Sequence, residues 1–156
     1  MKVLKRALKK KPVAKGTARI NKDGTKQISV QSAKSKGRNL QKFVGKKVAE
    51  LLNEPFGPDE DIASRPMGQS GCDIRLSPRI LKKFPYSIEC KCQERFNVVT
   101  ALKQAVNNQQ EGTEWLLFYT KNRFPTVVSM DADHFFELMQ RIYDAKKPVT
   151  KKLQKP

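Results

Sequence analysis

Apolar residues recur at helical spacing through Leu40, Phe43, Val44, Val48, Leu51 and Leu52, and Pro55 with Gly57 closes that run. A polar, acid-rich loop with Asp59, Glu60 and Asp61 follows. Asp73 to Leu76 reads as a short strand, Ser77-Pro78 as the cap and first position of a brief helical turn, and Tyr86 to Cys92 as a second strand. Asn97 can cap a helix with an apolar face of Val98, Val99, Leu102, Ala105 and Val106, and Gly112 lies beyond its end. Trp115 to Thr120 is almost wholly apolar, as a central strand requires, and Thr126 to Met130 reads as its neighbour. Asp131 can cap a last helix expected to bury Phe135, Leu138, Met139 and Ile142. This order predicts an α/β domain with helices packed on a mixed central sheet.

Outside this patterned stretch the chain changes character. Residues 1–35 are dense in lysine, with Asp23 the exception among acids, and 146–156 form a second basic tail. Residues 20–28 can close a hairpin around Asp23-Gly24, but the flanking apolar residues are few, and a flexible basic arm is the expectation. The expected organisation is a basic arm over 1–35, one domain over 36–145 and a basic tail over 146–156.

Charge then narrows the partner. Lys and Arg number 32 against 15 Asp and Glu, a formal net charge of +17. Such an excess concentrates polyanions around a protein, so nucleic acid is the expected partner. No apolar run approaches membrane-spanning length, and no hydrophobic stretch follows the charged start as in a secretory signal; a cytoplasmic protein is expected. Cys72, Cys90 and Cys92 fit no disulfide framework and, with His134, no zinc-finger spacing; reduced, packed thiols are the simpler reading.

The stretch with chemical content is Gly68-Gln69-Ser70-Gly71-Cys72-Asp73, followed by Ser87-Ile88-Glu89-Cys90-Lys91-Cys92-Gln93. Strand alternation puts Glu89, Lys91 and Gln93 on one face and Ile88, Cys90 and Cys92 on the other. A carboxylate and an ammonium group on an interior strand cost stability unless a ligand or metal uses them. A short return of the chain can bring Asp73 beside Glu89, so two carboxylates converge with a lysine at their edge. Hard divalent cations take such oxygen ligands, and Mg²⁺ needs only one or two carboxylates besides waters and substrate phosphate. An exposed strand face produces the same letters by chance. The apolar opposite face, the Ser-Gly turn into Asp73 and the basic charge favour the site reading. No Ser-His-Asp set and no phosphate-cradling glycine loop competes with it.

At these residues the chain resembles the PD-(D/E)XK nucleases, with Asp73 in the first acidic position and Glu89-Cys90-Lys91 as the E-x-K element. Within them it is most similar to Holliday junction resolvases of the archaeal type and their phage-encoded relatives. The resemblance spans residues 36–143, from Lys36-Gly37 at the entry to the first helix through the Arg65 to Asp73 loop and the E-x-K strand to the helix after it. It implies a restriction-endonuclease-like fold and a Mg²⁺-dependent endodeoxyribonuclease, for which Mn²⁺ can substitute. It further implies a homodimer making paired nicks in four-way junctions, in the host cytoplasm if phage-encoded. Metal would be held by Asp73, Glu89 and the Cys90 backbone carbonyl, and Lys91 would assist the nucleophile. The family often carries a metal-associated Glu in the first helix; Gln41 stands there instead, and Glu50, further round the helix, reads as solvated surface. Ser70 is the nearest match to a loop serine and equally fits a plain turn residue.

Arg38, Lys42, Lys46, Lys47, Arg65, Lys82, Lys83, Gln93 and Arg95 are the candidate DNA contacts, positioning a backbone rather than reading bases. Gln93 and Gln104 can add polar contacts around the site. Trp115 and Phe118 read as core, and His134 as structural. The last helix, with Phe135, Phe136 and Tyr143, is the candidate surface for a second copy. The competing functional readings are a less selective repair or restriction-like nuclease of the same superfamily, and a non-enzymatic basic nucleic-acid-packing protein.

Overall fold

The longest helix among the described residues carries the apolar stripe that opens the domain, and it starts well before that stripe. The computed structural model describes residues 30–66 and 68–146, in which α1 runs Val30–Leu52. Leu40, Val44, Val48 and Ala49 form its buried face, while Phe43 and Leu51 from the same run stay exposed. Asn53 adopts φ +53° just past the last turn, a left-handed end that asparagine tolerates, and the Glu54 N–H closes back on the Ala49 carbonyl at 2.9 Å. At Gly45 the Phe56 ring lies where a Cβ would project, so this position accepts no side chain without displacing the ring.

Beyond α1 come β1 (Ile62–Ser64), β2 (Ile74–Leu76), the short α2 (Pro78–Leu81), β3 (Tyr86–Cys92), α3 (Val98–Asn107), β4 (Glu114–Thr120), β5 (Val127–Ser129) and α4 (Ala132–Ala145). The strands form one five-stranded sheet in chain order. β1 and β2 are antiparallel, as are β2 and β3; β3 and β4 are parallel, and β4 and β5 antiparallel. The parallel step from β3 to β4 is bridged by the ten-residue α3, the long crossover that a same-direction return requires. Ser77 caps α2 by accepting from the Ile80 N–H at 3.4 Å, Asn97 caps α3 through the Thr100 N–H at 3.0 Å, and Asp131 caps α4 through the Asp133 N–H at 2.9 Å.

The two faces of β3 and β4 are buried against different helices. Ile88, Cys90 and Leu116 join Ile62, Ile74, Leu76 and the buried stripe of α1 in the main core. Leu117, on the opposite face, packs with Ala101 and Ala105 of α3. The protein is thus a mixed α/β domain with helices on both sides of its sheet. Among the described residues, no helix is long and apolar enough to cross a membrane.

Three expectations need correction. Residues 30–35 belong to α1 and not to an arm ending at 35; their side chains carry no apolar periodicity, which is why the pattern began only at Leu40. The acid-rich loop contains β1, whose Ile62 and Ala63 are fully covered; three residues are too few for alternation to register. The helix expected to bury Phe135, Leu138, Met139 and Ile142 buries none of its residues. It follows edge strand β5, and Phe135, Phe136, Met139, Ile142 and Tyr143 remain exposed. The hairpin at 20–28, the rest of the arm and tail residues 147–156 lie outside the described residues.

Candidate active site

Strand register brings the carboxylates together. Ile74 pairs with Ile88, which sets Asp73 across from Glu89 at the point where β2 begins. The Asp73 N–H donates to the Ile88 carbonyl at 2.9 Å, the Arg65 N–H to the Asp73 carbonyl at 2.8 Å. The Cys90 N–H, past the end of that pairing, is taken by Asp73 Oδ2 at 2.7 Å. Asp73 Oδ1 accepts from Gln41 Nε2 of α1, also at 2.7 Å. Gln41 of the first helix therefore bonds directly to Asp73.

Glu89 is 2% exposed and lies on the α3 side of the sheet. Its Oε1 accepts from Lys91 Nζ at 2.6 Å and from Gln104 Nε2 at 2.8 Å, and its Oε2 from Asn108 Nδ2 at 3.1 Å. Gln104 and Asn108 stand four residues apart, one helical turn, so a single face of α3 supplies both amides. The Gln104 contact was legible as a polar residue near the site. Asn108 was missed, and the i, i+4 spacing from Gln104 is the signal that could have found it.

Burial, and then the neighbouring charge of Glu89, pushes the Asp73 carboxyl above its ordinary range, against the lowering effects of the Cys90 N–H, Lys91 and Gln41. Among the described residues, these two carboxylates face one ammonium group, that of Lys91. Burial also pushes the Cys90 thiol well up, with Asp73 and Glu89 adding to the effect. A thiol so placed stays protonated and serves as core, not nucleophile.

The loop into Asp73 is shaped by glycine. Gly68 and Gly71 have φ of +88° and +102°. At Gly71 a side chain would also press on the Arg65 guanidinium, whose Nε donates to the Cys72 carbonyl at 2.6 Å. Ser70 sits exposed on this loop. A groove lined by Lys34, Arg38, Lys42, Ser64 and Arg65 opens beside Gln41. An adjoining hollow shares Lys34, Arg38 and Gln41 and extends to Lys91 and Gln93. Ser64 Oγ is buried here without a hydrogen-bond partner.

The other candidate contacts separate from this groove. Lys46 and Lys47 lie elsewhere on α1: Lys46 lines a hollow with Glu50 and Glu54, and Lys47 pairs with Glu50 at 2.6 Å. Lys83 is held by Glu54 at 2.9 Å, and Lys82 is exposed next to it. Arg95 is exposed just past β3. Glu50 is a surface residue, as expected. His134 Nε2 lies 2.9 Å from the Tyr86 hydroxyl.

The donor set decides which cation fits. Among the described residues, no three His, Cys, Asp or Glu side chains converge as a metal cage. Each Asp73 oxygen accepts a hydrogen bond, from Gln41 and from the Cys90 N–H, and a carboxylate has about four acceptor positions. Two oxygen-donating carboxylates in a charge-deficient pair fit a Mg²⁺-like ion that keeps waters, and do not fit a zinc site closed by four protein ligands. No family profile, curated protein or solved structure matches the chain.

Proposed function

We propose that this protein is a Mg²⁺-dependent endonuclease of the PD-(D/E)XK type that cuts branched DNA, a Holliday junction resolvase. The observation that carries the reading is the convergence of Asp73, Glu89 and Lys91 beside a groove walled by Lys34, Arg38, Lys42 and Arg65. The five strands in chain order, with helix-linked β3 and β4 parallel, support the restriction-endonuclease-like fold that goes with it.

Asp73 and Glu89, with the Cys90 carbonyl, would hold the metal, Mg²⁺ or Mn²⁺. When bound it lowers the pKa of a water and stabilises charge on the phosphoryl oxygens. Gln41 and the Cys90 N–H orient the Asp73 carboxylate, and Gln104 and Asn108 fix Glu89 from the α3 side. Lys91 Nζ is the group that can release Glu89 and hold either the attacking water or the scissile phosphate. The groove cations place the DNA backbone by counterion release, without reading sequence. Two copies acting together account for paired nicks, and the exposed apolar face of α4 is the surface offered to the second copy.

The test is cleavage of labelled four-way junctions with and without Mg²⁺. Paired symmetric nicks are expected. Glu89→Gln should lower the rate by about 10³-fold, the scale of removing one electrostatic element of an active site, while junction binding persists. Equal cutting of linear duplex replaces the resolvase with a less selective nuclease. Salt-sensitive binding without metal-dependent cutting by any preparation leaves a packing protein.

A further inference from the structure

A second cavity lies just past the catalytic lysine, and it is aromatic. Lys91 of β3 is the register partner of Tyr119 in β4, so their backbones are one strand spacing apart. Tyr119 stacks on Phe96 with ring centroids 4.7 Å apart and planes inclined by 15°. Phe124, from the turn after β4, lines the same hollow and is 44% exposed, with Lys121 Nζ 5.3 Å from its ring centre. That turn is held in place: Arg123 has φ +58°, and Thr120 Oγ1 donates to the Phe124 carbonyl at 3.0 Å.

The rim is polar. Gln93 lines both this cavity and the hollow that contains Gln41 and Lys91, so the two adjoin at that side chain. Glu94 also lines it, and its charge is partly offset by Lys36 Nζ at 3.9 Å and occupied by the Asn122 N–H at 3.2 Å. An apolar protein side chain would meet these polar edges without partners. A flat heteroaromatic ring with donors and acceptors on its edge, carried on an anionic backbone, matches both the ring faces and the cationic surroundings.

We infer that the cavity formed by Phe96, Tyr119 and Phe124 receives one unpaired nucleobase of the DNA strand lying across Lys91. An intact duplex keeps its bases stacked and offers nothing to this hollow; a branch point, bulge or single strand does. The selectivity for branched DNA then comes from a base subsite beside the chemistry. The inference rests on the proposed reading for the identity of the polymer and its path across Lys91.

The experiment is binding in EDTA to two DNAs that differ at one position. One carries a single unpaired base at a branch point, the other an abasic residue there. The wild-type chain should bind the first about ten-fold more tightly, the scale of one base–aromatic stack. Phe124→Ala should erase most of that preference and Phe124→Trp restore it, with unchanged thermal unfolding showing that the exposed ring is not needed to fold. Equal affinity of the wild type for both DNAs overturns the inference. So does a preference that survives in Phe124→Ala. Cleavage of the same junction in Mg²⁺ separates the two readings: cutting without a base preference sinks the subsite alone, and a base preference without cutting sinks the nuclease alone.

Discussion

Two clusters in this protein are built from the same kinds of side chain, yet Glu54 in one and Asp73 in the other are pushed in opposite directions. Near α2, Arg79 forks onto Glu54 with Nη1 and Nη2 each at 2.7 Å and reaches Asp61 with Nε at 2.8 Å, while Lys83 adds a bond to Glu54 at 2.9 Å. Two acids meet two cations. Hydrogen bonds from Arg79 and then Lys83 hold the Glu54 carboxyl down at about 2. At the sheet's other cluster, Asp73 and Glu89 meet Lys91 as their one cation among the described residues, the remaining donors being neutral amides, and the Asp73 carboxyl is pushed up. The first arrangement is complete as an electrostatic unit. The second is a carboxylate pair with room for one more positive charge.

Breaking each cluster at its lysine gives the widest separation between them. Lys91→Met leaves Glu89, which is 2% exposed, without its cation, and removing one partner of a buried pair costs about 3 kcal/mol. Lys83→Met leaves Glu54 still gripped by Arg79 and should change stability little. Mg²⁺ should recover part of the Lys91→Met loss, because it supplies the missing charge, and should leave Lys83→Met unaffected. Chemical denaturation of the two variants with and without Mg²⁺ measures this. Equal losses, or equal insensitivity to the ion, would erase the distinction drawn between the clusters.

The amides that hold Glu89 offer the next sharpest probe. Asn108 donates to Glu89 Oε2 and, at 3.4 Å, to the Gly71 carbonyl, so it ties the E-x-K strand to the loop before Asp73. Asn108→Ala should lower metal-dependent cleavage by about 10- to 100-fold, as losing an outer-shell partner does. The structural role of Asn108 at the end of α3 predicts in addition a change in the Mg²⁺ concentration giving half-maximal rate. Titrating the ion in wild type and Asn108→Ala tests that. A lower rate with an unchanged Mg²⁺ midpoint would place Asn108 in folding and not in the site.

How far the sequence foretells this arrangement depends on whether a residue's role is written in local pattern. β3 was legible because alternation separates Ile88, Cys90 and Cys92 from Glu89 and Lys91, and the structure keeps that separation with Ile88 and Cys90 in the main core. Capping by Ser77, Asn97 and Asp131 was legible for the same local reason. The pairing of Glu54 with Arg79 spans 25 residues and that of Asn108 with Glu89 spans 19, and no periodicity records such distances. Lys34 faces the groove from a helical turn that carries no apolar signal of its own. The α4 face failed differently. Its amphipathic pattern states that Phe135, Met139 and Ile142 want a covering surface, but not that the surface belongs to this chain's own core.

The smallest effect is the most diagnostic, because the two clusters should respond to pH with opposite slopes. A carboxyl held down contributes stability that is present above its ordinary value and fades as pH falls through the lowered one. For Glu54 that window runs from 4.5 to about 2. A carboxyl pushed up behaves in reverse: its contribution is present below the ordinary value, 3.8 for Asp73, and is lost as pH rises through the raised one, so the ionised group burdens the fold at neutral pH. Asp73→Asn should therefore stabilise the metal-free protein by about 1 kcal/mol near pH 7, the gain typical of relieving a functional site, while it abolishes cleavage. That advantage should shrink as pH falls toward 3.8. Glu54→Gln should instead weaken the protein at pH 7, with its deficit shrinking between 4.5 and about 2. Urea midpoints in EDTA across pH 2 to 8 follow both. If Asp73→Asn weakened the fold at neutral pH as Glu54→Gln does, the Asp73 carboxylate would be a structural ion-pair partner like Glu54, with no unmet demand for a cation.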